Sequence, residues 1–257
     1  MYRPSAIDDF SDISVAILAG GLGTRLRAAV ADRPKVLAEI NGRPFLDYLL
    51  DQLSKAGCRS VVLCTGYLGE QIYTAFGENY DNRLQLCYSR EQQPLGTGGA
   101  LRLALPLMAS NPILVMNGDS FCAADLTAFW QGYRSSRADA AMLLTWVAHA
   151  QRYGSVKLND DGIVIEFAEK NQESGPCWIN AGIYLLSREA IASIPEGAKT
   201  SLEYDIFPQL VGHGLFGYKS QGRFLDIGTP DDFVLAKTFF ADMAKNETAP
   251  IRGAGTA

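Results

Sequence analysis

Histidine is scarce in this sequence, and cysteine occurs in an odd number. The 257 residues include 2 histidines and 5 cysteines. The histidines lie far apart and no cysteine pair has metal-ligand spacing, so we expect neither a zinc site nor a Cys/His catalytic pair. We interpret the cysteines as reduced, mostly buried thiols and expect a cytosolic protein. The residues concerned are His149 and His213, with Cys58, Cys64, Cys87, Cys122 and Cys177.

Long apolar runs and excess positive charge are also missing. The net charge of -5 argues against a general nucleic-acid binder, which is usually basic. No apolar run is long enough to cross a membrane, and residues 1–12 are too polar and acidic for a signal peptide. We therefore expect no nucleic-acid partner and no membrane association.

The two common nucleotide fingerprints are absent as well. An apolar run ending at Leu18 is followed by a glycine-rich loop at residues 20–25, but Leu26 stands where a dinucleotide fold needs its third glycine. No Gly-Lys-Ser/Thr follows, which excludes a P-loop. Glycines that expose backbone N–H groups, together with Arg25 and Lys35, nevertheless favour a phosphate site of another kind. From this stretch alone, a plain strand-to-helix turn stays open.

The first half of the chain alternates between strand and helix patterns. Apolar runs predict buried strands, and helical spacing with capping residues predicts the segments between them. This alternation is typical of a parallel, doubly wound sheet. The predicted strands are 13–18, 60–64, 84–88 and 113–116; the predicted helices are 44–56, 68–76, 94–108 and 125–137.

The second half has a different pattern. Two strands, 155–158 and 163–167, flank Asn159-Asp160-Asp161-Gly162, a strong hairpin signal. We predict one α/β domain at residues 13–245, with a Rossmann-like, doubly wound, mixed but mostly parallel sheet flanked by helices. Residues 1–12 and 246–257 are predicted to be a flexible extension and tail. The remaining predicted elements are strands 140–147, 178–186, 216–219 and 224–226, and helices 202–210 and 229–244.

Polar clusters follow the predicted strands where open α/β sheets bind ligands. Residues 91–99 and 117–119 come after two of these strands, and Asp226 ends another. Mg²⁺ prefers one or two carboxylates together with phosphate oxygens, so we predict that Asp119 and Asp226 are a metal pair. A turn aspartate bonded to its own backbone is the other interpretation of Asp119.

At this point the motifs resemble a known family. Residues 18–26, read as Leu-Ala-Gly-Gly-Leu-Gly-Thr-Arg-Leu, and Pro34-Lys35 resemble the signature of sugar-1-phosphate nucleotidyltransferases, the nucleotide-sugar pyrophosphorylases. The resemblance covers residues 15–236. The later motifs follow in the family's order, and residues 94–100 are most similar to D-glycero-α-D-manno-heptose-1-phosphate guanylyltransferases. The later motifs are Asn117-Gly118-Asp119, Arg152-Tyr153-Gly154, Glu169-Lys170, Asn180-Ala181-Gly182 and residues 225–230.

The resemblance implies a fold of the nucleotide-diphospho-sugar transferase type, a nucleotide-binding half at 13–138 and a sugar-binding half at 139–245. It implies transfer of a nucleotidyl group from a nucleoside triphosphate to a sugar 1-phosphate, with Mg²⁺ at Asp119 and Asp226. The implied catalytic residues are Arg25, Lys35 and Asp119. The implied nucleotide-binding residues are Leu18, Ala19, Gly20, Gly21, Gly23, Thr24, Arg25, Glu91, Gly96, Thr97, Asn117 and Gly118. The implied sugar-phosphate-binding residues are Tyr153, Gly154, Glu169, Lys170, Asn180 and Glu203.

The base and the sugar are less constrained. An ionised Glu91 only accepts hydrogen bonds, and guanine offers two donors on one edge, which favours GTP. A uridylyl-, thymidylyl- or cytidylyltransferase acting on a hexose or amino-sugar 1-phosphate stays open, as does a catalytically silent relative that senses nucleotide-sugars. The sequence is compatible with a monomer or a homodimer.

Overall fold

The computed structural model of the protein describes residues 9–21, 32–148, 153–168 and 175–248. The strands in these ranges are β1 (Ser14–Leu18), β2 (Glu39–Ile40), β3 (Arg43–Pro44), β4 (Ser60–Thr65), β5 (Asn79–Tyr80), β6 (Leu84–Arg90), β7 (Ile113–Asn117), β8 (Ser120–Cys122), β9 (Ala140–Val147), β10 (Ser155–Leu158), β11 (Val164–Ala168), β12 (Cys177–Leu186), β13 (Leu215–Ser220) and β14 (Phe224–Asp226). The α-helices are α1 (Phe45–Lys55), α2 (Gly69–Phe76), α3 (Gly96–Ala104), α4 (Leu126–Ser136), α5 (Arg188–Ala192), α6 (Phe207–Leu210) and α7 (Pro230–Thr248).

The main sheet is mixed and has a parallel centre. Its order is β11-β10-β12-β7-β1-β4-β6-β5, and β9 and β13 extend from β12. β1 pairs in parallel with β4 and β7, while β12 runs antiparallel to β7 and to β9. Both halves of the chain therefore share one sheet, as predicted. The predicted hairpin at Asn159-Asp160-Asp161-Gly162 is also confirmed, because β10 and β11 pair antiparallel.

Each face of the sheet has its own core and its own helices. Val15 and Ile17 point into one core, which α1, α2, α4 and α7 cover, whereas Ala16 points into the other, which α3, α5 and α6 cover. This alternation follows from the two-residue period of a strand. β1 is apolar throughout because both of its faces are buried. The doubly wound α/β class is therefore confirmed.

The chain ends differ from prediction where the structure describes them. Residues 10–12, expected in a loose extension, form a 3-10 turn capped by the Asp9 side chain. Phe10 is buried because its ring packs against Trp130, 5.9 Å between centroids. At the other end, α7 continues to Thr248, past the predicted limit. Residues 1–8 and 249–257 lie outside the described ranges, so the predictions there are untested.

Two predicted helices are shorter than expected. The helix predicted to reach Met108 ends at Ala104 and continues as a 3-10 turn, because Pro106 cannot extend the α-helical hydrogen bonding. The helix predicted at 202–210 is a π-helical turn at Leu202–Ile206 followed by α6, with Pro208 in the first turn of α6. The elements that the sequence did not predict are β2, β3, β5, β8 and α5.

The cysteines agree with the expectation of reduced, mostly buried thiols. All five cysteines are free thiols, and Cys58, Cys64 and Cys122 are buried. Burial raises the pKa of each of these three thiols to about 12. No helix in the described ranges has the length and apolar character needed to span a membrane.

Candidate active site

A pocket of about 360 Å³ opens at the carboxyl end of the parallel strands. It gathers residues at or after the carboxyl ends of β1, β4, β6 and β7, the edge at which open α/β sheets bind ligands. Most of the predicted nucleotide-binding residues line it. The predicted residues in the lining are Leu18, Ala19, Gly20, Gly21, Lys35, Glu91, Gly96, Thr97, Asn117, Gly118 and Asp119; the lining residues not predicted are Val36, Cys64, Pro94, Ala100 and Gly228.

Lys35 and two carboxylates form the charged part of the site. Lys35 Nζ lies 2.8 Å from Asp119 Oδ2 and 4.0 Å from Asp226 Oδ1. The Lys35 side chain is 13% exposed, because the 3-10 turn at Lys35–Leu37 directs it inward. One ammonium group therefore faces two carboxylates, which are separated by more than one hundred residues of sequence. The sequence prediction that Asp119 and Asp226 lie together is consistent with this geometry.

The Asp226 carboxyl has a strongly perturbed pKa. Burial, followed by the like charge of Asp119, raises the pKa of Asp226 to about 6, while Lys35 and the Gly228 N–H oppose that shift. The Gly228 N–H donates to Asp226 Oδ1 over 2.5 Å. An excess of negative charge in a half-buried place favours binding of a cation.

A short antiparallel ribbon brings the two aspartates together. β14 pairs with β8, with Asp226 opposite Ser120, directly after Asp119. The Ile227 N–H donates to the Asp119 carbonyl over 2.9 Å, and the Gly118 N–H donates to the Leu18 carbonyl over 3.0 Å. A Cβ on Gly118 would lie 2.6 Å from that carbonyl oxygen, so only glycine fits there. The site therefore depends on a close approach of β1 and the ribbon.

Glu91 also lines the pocket. Its Oε2 accepts a 2.9 Å hydrogen bond from the Leu95 N–H. Its Oε1 lies 3.0 Å and 2.8 Å from the positions that a Cβ would take on Gly20 and Gly66, so these glycines make room for the carboxylate. Burial raises the pKa of Glu91, and the Leu95 N–H opposes the shift.

The amino end of α3 packs against a later loop. Gly96 has φ +73°, and a Cβ there would lie 2.5 Å from the Thr200 carbonyl oxygen. That carbonyl accepts a 2.8 Å hydrogen bond from the Gly98 N–H. Thr97 Oγ1 donates to Glu203 Oε2 over 2.9 Å. The predicted nucleotide residue Thr97 and the predicted sugar residue Glu203 are thus in direct contact.

The predicted sugar side includes a residue that sequence reasoning missed. Asn180 makes two protein hydrogen bonds: its Oδ1 accepts from the Gly182 N–H and its Nδ2 donates to Tyr184 Oη, both over 2.8 Å. Tyr184 is fully buried and also reaches Glu203. The sequence signal for Tyr184 was its position four residues after Asn180 in an apolar strand.

Tyr153 and Gly154 lie at the start of β10. The Tyr153 ring meets the Phe224 ring edge to face, 5.5 Å between centroids. Gly154 is buried, and its carbonyl accepts from the Asn180 N–H over 3.4 Å. Both residues therefore adjoin elements of the candidate site. Five predicted residues, Gly23, Thr24, Arg25, Glu169 and Lys170, lie outside the described residues.

The side chains suit a magnesium ion that is completed by phosphate oxygens. In the described ranges, no group of three or more His, Cys, Asp or Glu residues could enclose a metal. The Asp119 and Asp226 pair supplies two hard oxygen donors, and Mg²⁺ is often held by one or two carboxylates plus substrate phosphates. Burial and the like charge of Asp119 raise the pKa of Asp226, and a cation held by the two carboxylates would offset that cost.

Comparison with known proteins gives consistent matches. The family model described as "Nucleotidyl transferase" matches residues 14–243. The chain is 37% identical over 218 residues to D-glycero-alpha-D-manno-heptose 1-phosphate guanylyltransferase of Aneurinibacillus thermoaerophilus, which covers 84% of this chain and 94% of that protein. It is 35% identical over 225 residues to mannose-1-phosphate guanylyltransferase of Mycobacterium tuberculosis, covering 86% of this chain but only 63% of that protein.

A solved structure agrees with the sequence matches. The crystal structure of HddC from Yersinia pseudotuberculosis complexed with GMP-PN superposes with a TM-score of 0.79 and is 33% identical. The match covers 89% of this chain and 99% of that one.

Proposed function

The chain belongs to the nucleotidyl transferase family, and we propose that it transfers GMP from GTP to D-glycero-α-D-manno-heptose 1-phosphate, releasing pyrophosphate. The observation that carries this proposal is the position of Lys35, 2.8 Å from Asp119 and 4.0 Å from Asp226 in the nucleotide-sized pocket. Cationic and metal-binding groups at one point are what a phosphate-transfer site requires. One relative, which is 37% identical, is named for this activity, and it supports the choice of substrates.

The reaction needs positioning and charge neutralisation more than covalent help from the protein. An oxygen of the sugar phosphate attacks the α-phosphorus of GTP, a new P–O bond forms, and the bond to the β-phosphate oxygen breaks. The electron pair leaves with pyrophosphate. The attacking oxygen is already ionised, so no general base is needed.

Lys35 is assigned to the α-phosphate and to the approach of the acceptor. Binding of the phosphates would exchange part of its contact with Asp119 for a contact with phosphate oxygen. Arg25 is assigned to the leaving phosphates, and Lys170 to the acceptor phosphate, on the strength of the family motif; both lie outside the described residues. The exposed N–H groups of Gly20 and Gly21 at the pocket wall suit the triphosphate.

Asp119 and Asp226 would hold Mg²⁺ in the working enzyme. When bound, the ion supplies positive charge that neutralises the reacting phosphate. The two carboxylates contribute by their fixed position, because the β8–β14 ribbon holds both of them and the Gly228 N–H orients Asp226.

Glu91 is assigned to the guanine base. Its carboxylate, oriented by the Leu95 N–H, can accept hydrogen bonds from the two donors on guanine's N1–N2 edge. Burial raises the pKa of Glu91, and the hydrogen bond from Leu95 opposes that shift by favouring the ionised form that this role requires.

Mannose 1-phosphate is a second candidate acceptor. The 35% identical relative from Mycobacterium tuberculosis, a mannose-1-phosphate guanylyltransferase, favours it. The same nucleotide side would serve either acceptor, since both relatives are named guanylyltransferases. The cytosolic location and the monomeric or homodimeric state stay predictions.

Pyrophosphate release tests the proposal. We expect release that requires both GTP and a sugar 1-phosphate in the presence of Mg²⁺. Lys35→Ala should lower the rate by about 10³-fold with an unchanged circular dichroism spectrum, because it removes charge stabilisation at the reacting phosphate. The matched control Lys237→Ala, on the exposed face of α7, should leave the rate unchanged. Full activity in Lys35→Ala would refute the mechanism.

A further inference from the structure

Tyr184 lies between two residues of the predicted sugar side, and its hydroxyl makes polar contacts with both of them. It is among the largest fully buried side chains, and its ring packs on Phe207 with 4.8 Å between centroids. Its hydroxyl accepts from Asn180 Nδ2 over 2.8 Å and lies 3.4 Å from Glu203 Oε1. A single hydroxyl group therefore connects the amide and the carboxylate.

The chemistry of the groups fixes the direction of each hydrogen bond. Asn180 Oδ1 accepts from the Gly182 N–H over 2.8 Å, so its NH₂ group must face Tyr184. The tyrosine hydroxyl has one hydrogen, which it donates to Glu203. The other oxygen of Glu203 accepts from Thr97 Oγ1 over 2.9 Å and from Ser201 Oγ over 2.8 Å. Among the described residues, the side chains that contact the Glu203 carboxylate are hydroxyl donors, which suit the lone pairs of a carboxylate.

We propose that Tyr184 is a positioning residue for the acceptor sugar, an inference that rests on the proposed function. It holds the Asn180 amide and the Glu203 carboxylate so that one N–H and one carboxylate lone pair remain for substrate. A neutral sugar hydroxyl satisfies both, because it accepts from Asn180 and donates to Glu203. An ether oxygen or a second phosphate cannot donate to Glu203, so the site selects a hydroxyl.

The network also reaches the nucleotide pocket. Thr97, which lines that pocket, accepts a 2.8 Å hydrogen bond from the Leu202 N–H while it donates to Glu203. The 3.4 Å contact between Tyr184 and Glu203 is the longest of these bonds. Removal of the Tyr184 hydroxyl therefore breaks the hydrogen bonds to Asn180 and Glu203, while Thr97 keeps its hydrogen bonds to Leu202 and Glu203. We therefore expect weaker binding of the acceptor sugar and little change in the binding of the nucleotide.

Steady-state pyrophosphate release from Tyr184→Phe tests this inference, with GTP and either D-glycero-α-D-manno-heptose 1-phosphate or mannose 1-phosphate. We expect the KM for the sugar phosphate to rise about tenfold, the usual effect of losing one hydrogen bond to a charged group. The kcat and the KM for GTP should change less than threefold. The variant Tyr48→Phe, which loses a 2.9 Å bond to the Ile40 carbonyl away from the site, should match wild type.

A double-mutant cycle separates positioning from general loosening. The effect of Glu203→Gln on the acceptor KM should be smaller in Tyr184→Phe than in wild type, because both changes break one network. An unchanged acceptor KM, an equal rise in both KM values or full additivity would overturn the inference. If Tyr184→Phe does not fold, Asn180→Ala should give the same acceptor KM rise, and its failure to do so would overturn it. A wild-type protein that releases no pyrophosphate would refute the proposed function, and this inference with it.

Discussion

At the scale of single residues, the central feature is the concentration of charge around Lys35. Asp119 and Asp226 share one ammonium group, and burial of Asp226 makes its ionised form costly. In a structural ion pair, the numbers of positive and negative charges would be equal. This excess of negative charge favours the binding of a cation.

This imbalance predicts a gain in stability when the Asp226 charge is removed. The pKa of Asp226 is raised to about 6, so between about pH 4 and 6 the folded state binds more protons than the unfolded state. The contribution of this group to stability is therefore complete below about pH 4 and is lost as the pH rises through 6. In metal-free buffer at pH 7.5, Asp226→Asn should raise the free energy of unfolding by about 1–2 kcal/mol.

Urea denaturation at pH 7.5 and pH 4 measures that difference, which should vanish at pH 4. Asp160→Asn, in the exposed hairpin turn, removes the same charge and should change stability little at either pH. Asp226→Asn should also abolish pyrophosphate release. A loss of stability at pH 7.5 would mean that attraction to Lys35 outweighs the cost of burial.

At the scale of elements, the amino end of α3 depends on Gly96. An alanine there would adopt a left-handed φ and also press its Cβ against the Thr200 carbonyl oxygen. Gly197, in the same loop region, has a similar φ of +71° but open space around its Cβ position. A comparison of alanine variants at Gly96 and Gly197 therefore separates the free-energy cost of a left-handed φ from the cost of the close Cβ contact.

We expect Gly197→Ala to destabilise the protein by about 1 kcal/mol, the cost of a left-handed residue with a side chain. Gly96→Ala should cost about 2 kcal/mol more, because it adds overpacking against a carbonyl group. It should also raise the KM for GTP, since Gly96 lines the pocket. Thermal unfolding and GTP titration provide both readings, and equal losses of stability in the two variants would contradict the contact.

The elements also show what the sequence could and could not predict. β1, β4, β6 and β7 were identifiable because a strand buried on both faces is a continuous apolar run. β8 was not, because its three residues become a strand only by pairing with β14, one hundred residues later. That ribbon is what brings Asp119 and Asp226 together.

The sequence also predicted one part of the candidate site and missed another. Glycine and charged residues after strands indicated the pocket, and most of the predicted nucleotide-binding residues line it in the described ranges. The network through Tyr184 was not predictable, since the bond from Thr97 to Glu203 spans 106 residues. Asn180 was expected to favour a ligand over a protein partner, yet it has protein partners for both of its polar atoms. Long-range contacts of this kind leave no local pattern.

At the scale of the whole molecule, α7 packs against the predicted nucleotide-binding half of the chain. Phe240 is buried, stacks on Tyr48 with centroids 3.7 Å apart, and also meets Phe45 and Phe121. Phe240 therefore belongs to the core. The contacts join the second half of the chain to α1 and to the β8–β14 ribbon.

Phe240→Ala should therefore destabilise the whole fold. Loss of a buried phenylalanine costs about 3–5 kcal/mol, which for a chain of this size lowers the Tm by roughly 10 °C. Leu235→Ala, on the same helix at 62% exposure, should change the Tm by less than about 2 °C. Differential scanning calorimetry should show a single transition in each case. A Phe240→Ala protein as stable as wild type would contradict this packing.

The most direct test of the central claim is a matrix of nucleoside triphosphates against sugar 1-phosphates, scored by pyrophosphate release with Mg²⁺. The proposed role of Glu91, which lines the pocket that Lys35 shares with Asp119, predicts that GTP outperforms UTP, dTTP, CTP and ATP. D-glycero-α-D-manno-heptose 1-phosphate should be the best acceptor, followed by mannose 1-phosphate. Faster release with UTP or dTTP than with GTP would contradict the guanylyl assignment, and release with no pair would contradict the proposed activity.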